Sequence, residues 1–218
     1  MKTKEYVIGD GIYTAADMAY IFKLPYHQVY YWFSVYALNK LEKANNFKYH
    51  FKYDNETAVN FKTIIEFYIF NVLKKKGFSY GKIFAAHGAL SKYLNTPYPF
   101  SRAKLVASGN SIYAELDDNI ISADGKFQVA IEKIVKQFSA KLDYEDELAV
   151  RFYPLGKTSS IVVDPAIRYG LPTIKGTRLN PKTIFQYHQG GDKVDDIARN
   201  FEISSKEVLD AIEFSKAA

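Results

Sequence analysis

Apolar residues recur at helical spacing from the start of the chain. In TAADMAYIF (14–22), Ala15, Met18, Ala19 and Phe22 fall at i, i+3, i+4 and i+7. Thr14 is placed as N-cap, with Asp17 three residues on as a variant capping box. The turn KLP follows, and Pro25 suits the first position of a second helix. That helix, 25–36, carries Val29, Trp32, Phe33 and Tyr36 at the same spacing. Two short helices across a tight turn predict a helix-turn-helix. The period then changes to two. In FKYHFKY (47–53), Phe47, Tyr49, Phe51 and Tyr53 alternate with Lys48, His50 and Lys52, which predicts a half-buried strand. Two readings stay open for it: a wing with a cationic outer face, or an edge strand guarded by lysines.

Helical periodicity returns over 57–76. Phe61, Ile64, Ile65, Tyr68, Val72 and Leu73 mark one face, and Phe67, Ile69 and Phe70 widen it. A helix apolar on so much of its circumference is expected to be buried, with a subunit interface as one candidate cover. KKKG ends it with cations at the negative dipole end and Gly77 as left-handed cap. Ser79 caps a further helix to about Leu94. Residues 104–122 carry strand material around the turn at 108–110. FQVAIEKIVKQF (127–138) is amphipathic, with Phe127, Ile131, Ile134 and Phe138 inward. The acidic run Asp143, Glu145, Asp146 and Glu147 reads as a solvated helix start, and a domain boundary is expected near 155–160.

Beyond that boundary, IVVDPAIRYGLPTIKGTR (161–178) breaks into two short strands, Ile161–Val163 and Thr173–Lys175, around a turn. Asp164-Pro165 starts the turn, and Gly170 and Gly176 supply conformational freedom. The stretch lacks the glycine spacing running into a helix N-terminus that a phosphate-gripping loop needs. Arg178 is read first as a buried structural anchor, with a ligand contact as the alternative. Helical pieces follow at 181–188, 194–201 and 204–215. They contain an internal repeat: AADMAYIFKLPYHQVYYWF and VDDIARNFEISSKEVLDAIEF align without a gap at an offset of 179 residues. Asp17 matches Asp196, Ala19 matches Ala198, Phe22 matches Phe201 and Val29 matches Val208. The expected architecture is mainly α with small antiparallel β elements, in two helix-turn-helix (winged-helix-like) domains, 1–155 and 156–218.

Composition narrows the function classes. The chain has no Cys, which removes disulfides, thiol catalysis and cysteine zinc sites. No apolar leader core and no run of about 18 apolar residues occur, so a soluble, cytoplasmic protein off the membrane is expected. The net charge of +5 is unevenly spread: residues 61–110 hold 8 basic and 1 acidic side chains, and 111–150 hold 4 basic and 9 acidic. Such a block pattern fits either a polyanion or protein partner, or plain solvated faces. His27, His50, His87 and His188 have no metal-ligand spacing. No G-x-S-x-G, P-loop or dinucleotide fingerprint is present, so neither an enzyme nor a cofactor is expected.

The candidate nucleic-acid residues are Tyr26, His27, Gln28, Tyr30 and Tyr31 on the second helix, with Lys48, His50 and Lys52 on the strand. Gln pairs with adenine edges, His approaches guanine, and Tyr contacts phosphate. No Arg or Lys occurs from 24 to 39, although phosphate charge dominates most DNA affinity. Lys23, Lys40, Lys48 and Lys52 flank the helix. A helix-turn-helix that meets only protein remains the alternative.

Two stretches resemble known families. Asp164-Pro165, Gly170, Pro172, Ile174, Gly176, Thr177 and Arg178, followed by a helix, Gly190 and the second helix-turn-helix, resemble the bacterial domain-of-unknown-function family 433. YTAADMAYIFKLPYHQVYYWF resembles a MerR-type winged helix-turn-helix, and VNFKTIIEFYIFNVLKKKGFSYGKI the helices that follow its wing. The basic residue usual before the aromatic pair is Tyr30 here. In this order the two parts resemble long antitoxins of VapBC-like toxin–antitoxin systems. That resemblance implies a homodimer that neutralises a PIN-like ribonuclease toxin and binds operator DNA to repress its own operon; a stand-alone transcriptional regulator without a toxin partner is a further alternative.

Overall fold

A computed structural model describes residues 9–34, 37–102 and 125–216. The described chain is mainly helical with small antiparallel strand pairs, as the two periodicities predict. Helix α1 (Ala15–Phe22) opens on the expected capping box: the Thr14 amide donates to Asp17 at 2.9 Å, and the Asp17 amide returns a bond to Thr14 Oγ1 at 3.3 Å. Helix α2 (Tyr26–Ser34) starts one residue later than expected, because Pro25 takes the cap position and its carbonyl accepts from Gln28 and Val29. Helix α3 (Ala37–Asn45) was not foreseen. Its buried Leu38 and Leu41 form only one helical pair, too few to read as a pattern.

Strand β1 (His50–Tyr53) pairs antiparallel with β2 (Glu56–Val59). Asp54 and Asn55 join them with φ of 45° and 62°, both positive as a type I′ hairpin turn requires. β2 uses residues that periodicity assigned to the next helix. That helix, α4 (Phe61–Lys75), therefore begins at Phe61, capped by Asn60, whose side chain accepts from the Thr63 amide at 2.9 Å. Its girth is buried within one chain, which corrects the expectation of a subunit cover. Trp32 meets Phe67 edge-on at 4.6 Å, Tyr68 stacks on Phe138 at 4.1 Å, and Phe70 packs against Phe100. Helix α5 (Tyr80–Tyr93) is capped by Ser79 as expected. It delivers His87 to Glu66 of α4, both fully buried, 3.0 Å apart. Glu66 also accepts the Phe100 and Ser101 amides. Burial pushes the Glu66 carboxyl up, against the opposing pull of His87 and the two amides.

Helix α6 (Gly125–Ser139) buries Ile134 and Phe138 as expected. The strand material expected over 104–122, and the side chains of Tyr36, Phe127 and Ile131, lie outside the described residues. The acidic run is not a helix start. It forms the hairpin β3 (Leu142–Glu145) and β4 (Leu148–Phe152), turning through Asp146 and Glu147 at φ 46° and 64°. Leu142, Ala149 and Phe152 are buried, so the strand pattern is present but interrupted by a register shift at Asp143/Tyr144. Asp143 is tied down by Lys157 at 2.8 Å and the Tyr153 hydroxyl at 2.7 Å. Burial alone would raise it, but these two bonds hold it below the usual carboxylate range.

The C-terminal part contains β5 (Ile161–Val162) paired with β6 (Thr173–Ile174), then α7 (Pro181–Gln189), α8 (Val194–Phe201) and α9 (Ser205–Lys216). Ile161, Ile174, Ile184, Ile197, Val208 and Phe214 make its core. It meets the first part in a packed joint. Val163 exchanges both backbone bonds with Phe152, and Asp164 accepts from Arg151 Nε at 2.7 Å. Tyr20 of α1 lies edge-on to Phe214 at 5.2 Å. Among the described residues, no helix is long and apolar enough to cross a membrane.

Candidate nucleic-acid interface

The first helix-turn-helix is set by its turn. Lys23 ends α1 in the left-handed region, φ 52° and ψ 48°, and the Leu24 amide donates back to Ala19 at 3.0 Å. This fixes α2 across α1, with Val29 and Trp32 inward. The outward face then carries Tyr26, Tyr30 and Tyr31, each at least half exposed, and His27 beside them. The Tyr26 and Tyr30 rings stack at 5.7 Å. Across from them stands the β1–β2 hairpin. The two enclose a cleft of about 350 Å³, lined on the helix side by Ala15, Tyr26 and Tyr30 and on the hairpin side by Lys52, Asn55, Glu56 and Thr57.

The eight expected residues divide. Tyr26, His27, Tyr30, Tyr31, Lys48 and Lys52 are exposed. Lys52 donates to Thr57 across the hairpin at 3.2 Å, which aims its amine along the cleft wall. Gln28 is half-buried and turned inward, where its amide donates to Asn71 of α4 at 2.7 Å. His50 lies against Glu42 of α3 at 2.7 Å. Those two serve the fold as built. Asn71 and Glu42 were missed, since nothing in the linear sequence ties them to residues so distant. The hairpin tip adds Asp54 and Glu56, both exposed and acidic.

The second helix-turn-helix repeats the first in backbone detail. Glu202 ends α8 at φ 54° and ψ 42°, and the Ile203 amide donates to Ala198 at 3.0 Å. Lys23 and Glu202, and Leu24 and Ile203, are the pairs related by the offset of 179. Val29 and Val208, also paired, are both fully buried. The outer face of α9 differs. Asp210 accepts from the Ser160 amide at 2.7 Å and from its hydroxyl at 2.8 Å. Lys206 reaches Asp210 at 2.7 Å and the Thr158 carbonyl at 3.0 Å. Although burial would raise Asp210, these donors hold its carboxyl low.

The joint between the units holds an unusual cation. The Lys23 amine lies 4.2 Å from the Tyr20 ring centre and 3.7 Å from that of Phe214. It is buried without a hydrogen-bond partner among the described residues, and burial lowers its pKa to about 8.

The family-motif residues are mostly structural. Asp164 closes its turn by accepting the Ala166 amide at 2.9 Å, with Pro165 half-buried beside it. A Cβ on Gly170 would fall 2.0 Å from the Tyr13 hydroxyl, and its φ of 91° disfavours any other residue as well. Pro172 is buried. Thr177 Oγ1 donates to Ile174 at 2.8 Å and accepts the Leu179 amide at 3.0 Å, just past the exposed Gly176. Arg178 is exposed, which corrects its reading as a buried anchor. The turn tucks Thr177 inward and leaves its neighbour outside. Among the described residues, no group of three or more His, Cys, Asp or Glu side chains is placed to hold a metal ion.

Fold and site together define a mainly helical protein with two helix-turn-helix units and a hairpin beside the first. Residues 161–215 match the family described as "Protein of unknown function (DUF433)". The chain is similar to Uncharacterized protein Rv2308 of Mycobacterium tuberculosis (strain ATCC 25618 / H37Rv), 39% identical over 56 residues. That stretch is 26% of this chain and 24% of the relative, so the chain spans about a quarter of that protein's length. The crystal structure of Rv2018 from Mycobacterium tuberculosis has the same fold, with a TM-score of 0.72 over 92% of this chain and 96% of that one, at 16% identity.

Proposed function

We propose that the protein binds duplex DNA through α2 and the β1–β2 hairpin. On the resemblance to long VapB-like antitoxins, we further propose that it acts as a homodimeric repressor of its own operon and neutralises a PIN-like toxin. One observation carries the DNA reading: a helix-turn-helix whose second helix leaves Tyr26, His27, Tyr30 and Tyr31 exposed beside a hairpin bearing Lys52. A helix of this width fits the major groove, and a hairpin alongside it reaches the flanking backbone. Tyr hydroxyls meet phosphates or base edges, and the rings pack on thymine methyl groups.

A gel-shift series with the DNA upstream of its own reading frame tests this. Binding that weakens steeply with salt is expected, and a loss of at least tenfold on Tyr26→Ala/Tyr30→Ala. No shift at low salt, with or without a co-expressed toxin, would sink the DNA half. A second reading, a dimeric interaction protein without DNA contact, is favoured by one feature. Asp54 and Glu56 put negative charge at the hairpin tip, where a phosphate-gripping wing needs the opposite sign. Under that reading the tyrosine face meets protein, and Lys48→Ala/Lys52→Ala leaves every partner affinity unchanged.

A further inference from the structure

The second unit carries an unclaimed cationic surface. Residues 165–191 contain no Asp or Glu, yet hold Arg168, Lys175, Arg178 and Lys182. They lie along the stretch from the β5–β6 turn to the first turn of α7. The Arg168 guanidinium donates to the Arg178 carbonyl at 3.5 Å, drawing two turns together. Lys175, Arg178 and Lys182 are exposed and Arg168 is partly so. No carboxylate among the described residues pairs with any of the four.

Stability does not account for this arrangement. Lys182 sits in the first turn of α7, at the positive end of the helix dipole, where a cation is unfavourable. Arg168 and Tyr169 both have positive φ, 49° and 58°. Each such residue costs roughly 1–2 kcal/mol unless it is Gly, Asn or Asp. The wing turn meets the same demand with Asp54 and Asn55. At 168–169 the chain instead keeps an Arg and a Tyr, the latter 63% exposed. The turn thus keeps a basic and an aromatic side chain where Gly or Asn would relieve the strain.

Position gives the contact its chemistry. The Ile12 amide donates to the Tyr169 carbonyl at 2.8 Å, and Tyr13 bridges to Val59 of β2. The Arg168–Tyr169 turn, and Arg178 bonded to it, therefore lie beside the base of the wing hairpin, roughly two strand spacings of about 5 Å away, while Lys175 stands over the Tyr153 ring at 5.7 Å. The helix proposed to enter the groove, α2, contains no Lys or Arg of its own. We infer that Arg168, Lys175, Arg178 and Lys182 grip the phosphate backbone of duplex DNA next to the segment held by α2. The inference rests on the DNA reading and names where its missing phosphate contacts reside.

The test compares the full-length protein with an Arg168→Ala/Lys175→Ala/Arg178→Ala/Lys182→Ala variant. Each binds the upstream duplex and an unrelated duplex of equal length over a salt series. Four lost phosphate contacts should flatten the slope of log K against log salt by roughly 3 to 4, and weaken both duplexes alike. A milder Lys175→Gln/Lys182→Gln variant, safe if the quadruple variant misfolds, should show about half that change. An Arg168→Lys/Arg178→Lys variant should keep most of the slope. Unaltered slopes in the Ala and Gln variants, with wild-type DNA binding present, overturn the inference alone. So does wild-type DNA binding coupled to loss of an acidic protein partner, which would assign the loop to protein. No DNA binding by the unaltered protein overturns the parent reading and this inference together.

Discussion

α2 and α9 descend from the same kind of turn and end in opposite roles. Both helices leave a left-handed residue, Lys23 or Glu202, through the same backbone bond, and both bury a Val one turn later. Position by position, Tyr26, His27, Tyr30 and Tyr31 correspond to Ser205, Lys206, Leu209 and Asp210. In the first unit the tyrosines of this face are about half exposed. In the second, Ser205 bonds to Asp195, while Lys206 and Asp210 hold the 158–160 loop. The helix-turn-helix pattern thus encodes only how two helices cross. What the outer face does is decided by residues that the crossing leaves free to vary.

Four substitutions, in two aligned pairs, sharpen this contrast. Asp210→Ala strands a buried-side amide and hydroxyl of Ser160 and an unpaired Lys206, so it should destabilise by about 2–3 kcal/mol in urea unfolding. The aligned Tyr31→Ala should stay within about 0.5 kcal/mol, being a surface change, while weakening DNA binding. Equal stability losses from the pair would erase the distinction. Next, Val29→Ala and Val208→Ala remove the same buried methyls and should each cost about 2 kcal/mol, matching to within about 0.5. A large mismatch would mean that the two crossings are packed differently despite their shared backbone.

The smallest effect concerns the joint. Lys23 carries a folded-state value of about 8, below the ordinary 10.5. Between those values the unfolded chain binds more protons than the folded one, so stability rises as pH climbs from about 8 to about 10.5. Lys23→Met should abolish this part of the rise when melting temperatures of variant and wild type are compared point by point. An unchanged pH profile would show that the amine reaches water.

Much of the fold was legible because burial writes itself into periodicity. The crossing positions of both units, the Thr14 cap and the core face of α4 all follow from apolar spacing. Hairpins were harder. β2 was absorbed into the helix after it, and β3–β4 into an acidic helix start. In both, the turn residues lack the Asn-Gly signal, and each strand is too short for alternation to stand out. The exposed tyrosines of the candidate face were visible as residues left over from the apolar stripe. That Gln28 and His50 bond to the fold rather than face outward was not visible, because Asn71 and Glu42 reach them only through the tertiary fold.

The bond from Ile12 to Tyr169 also has a consequence for synthesis. The segment holding Tyr13 pairs with Val59 as soon as β2 exists, but its other edge waits for Tyr169, 110 residues further along the chain. At about 5–20 residues per second, that edge stands open on the ribosome for roughly 5–20 s. An open strand edge invites pairing with another nascent chain. The loop around Gly170, packed onto Tyr13 by a glycine that admits no side chain, is therefore also the seal that closes this edge once residues 169–170 have emerged.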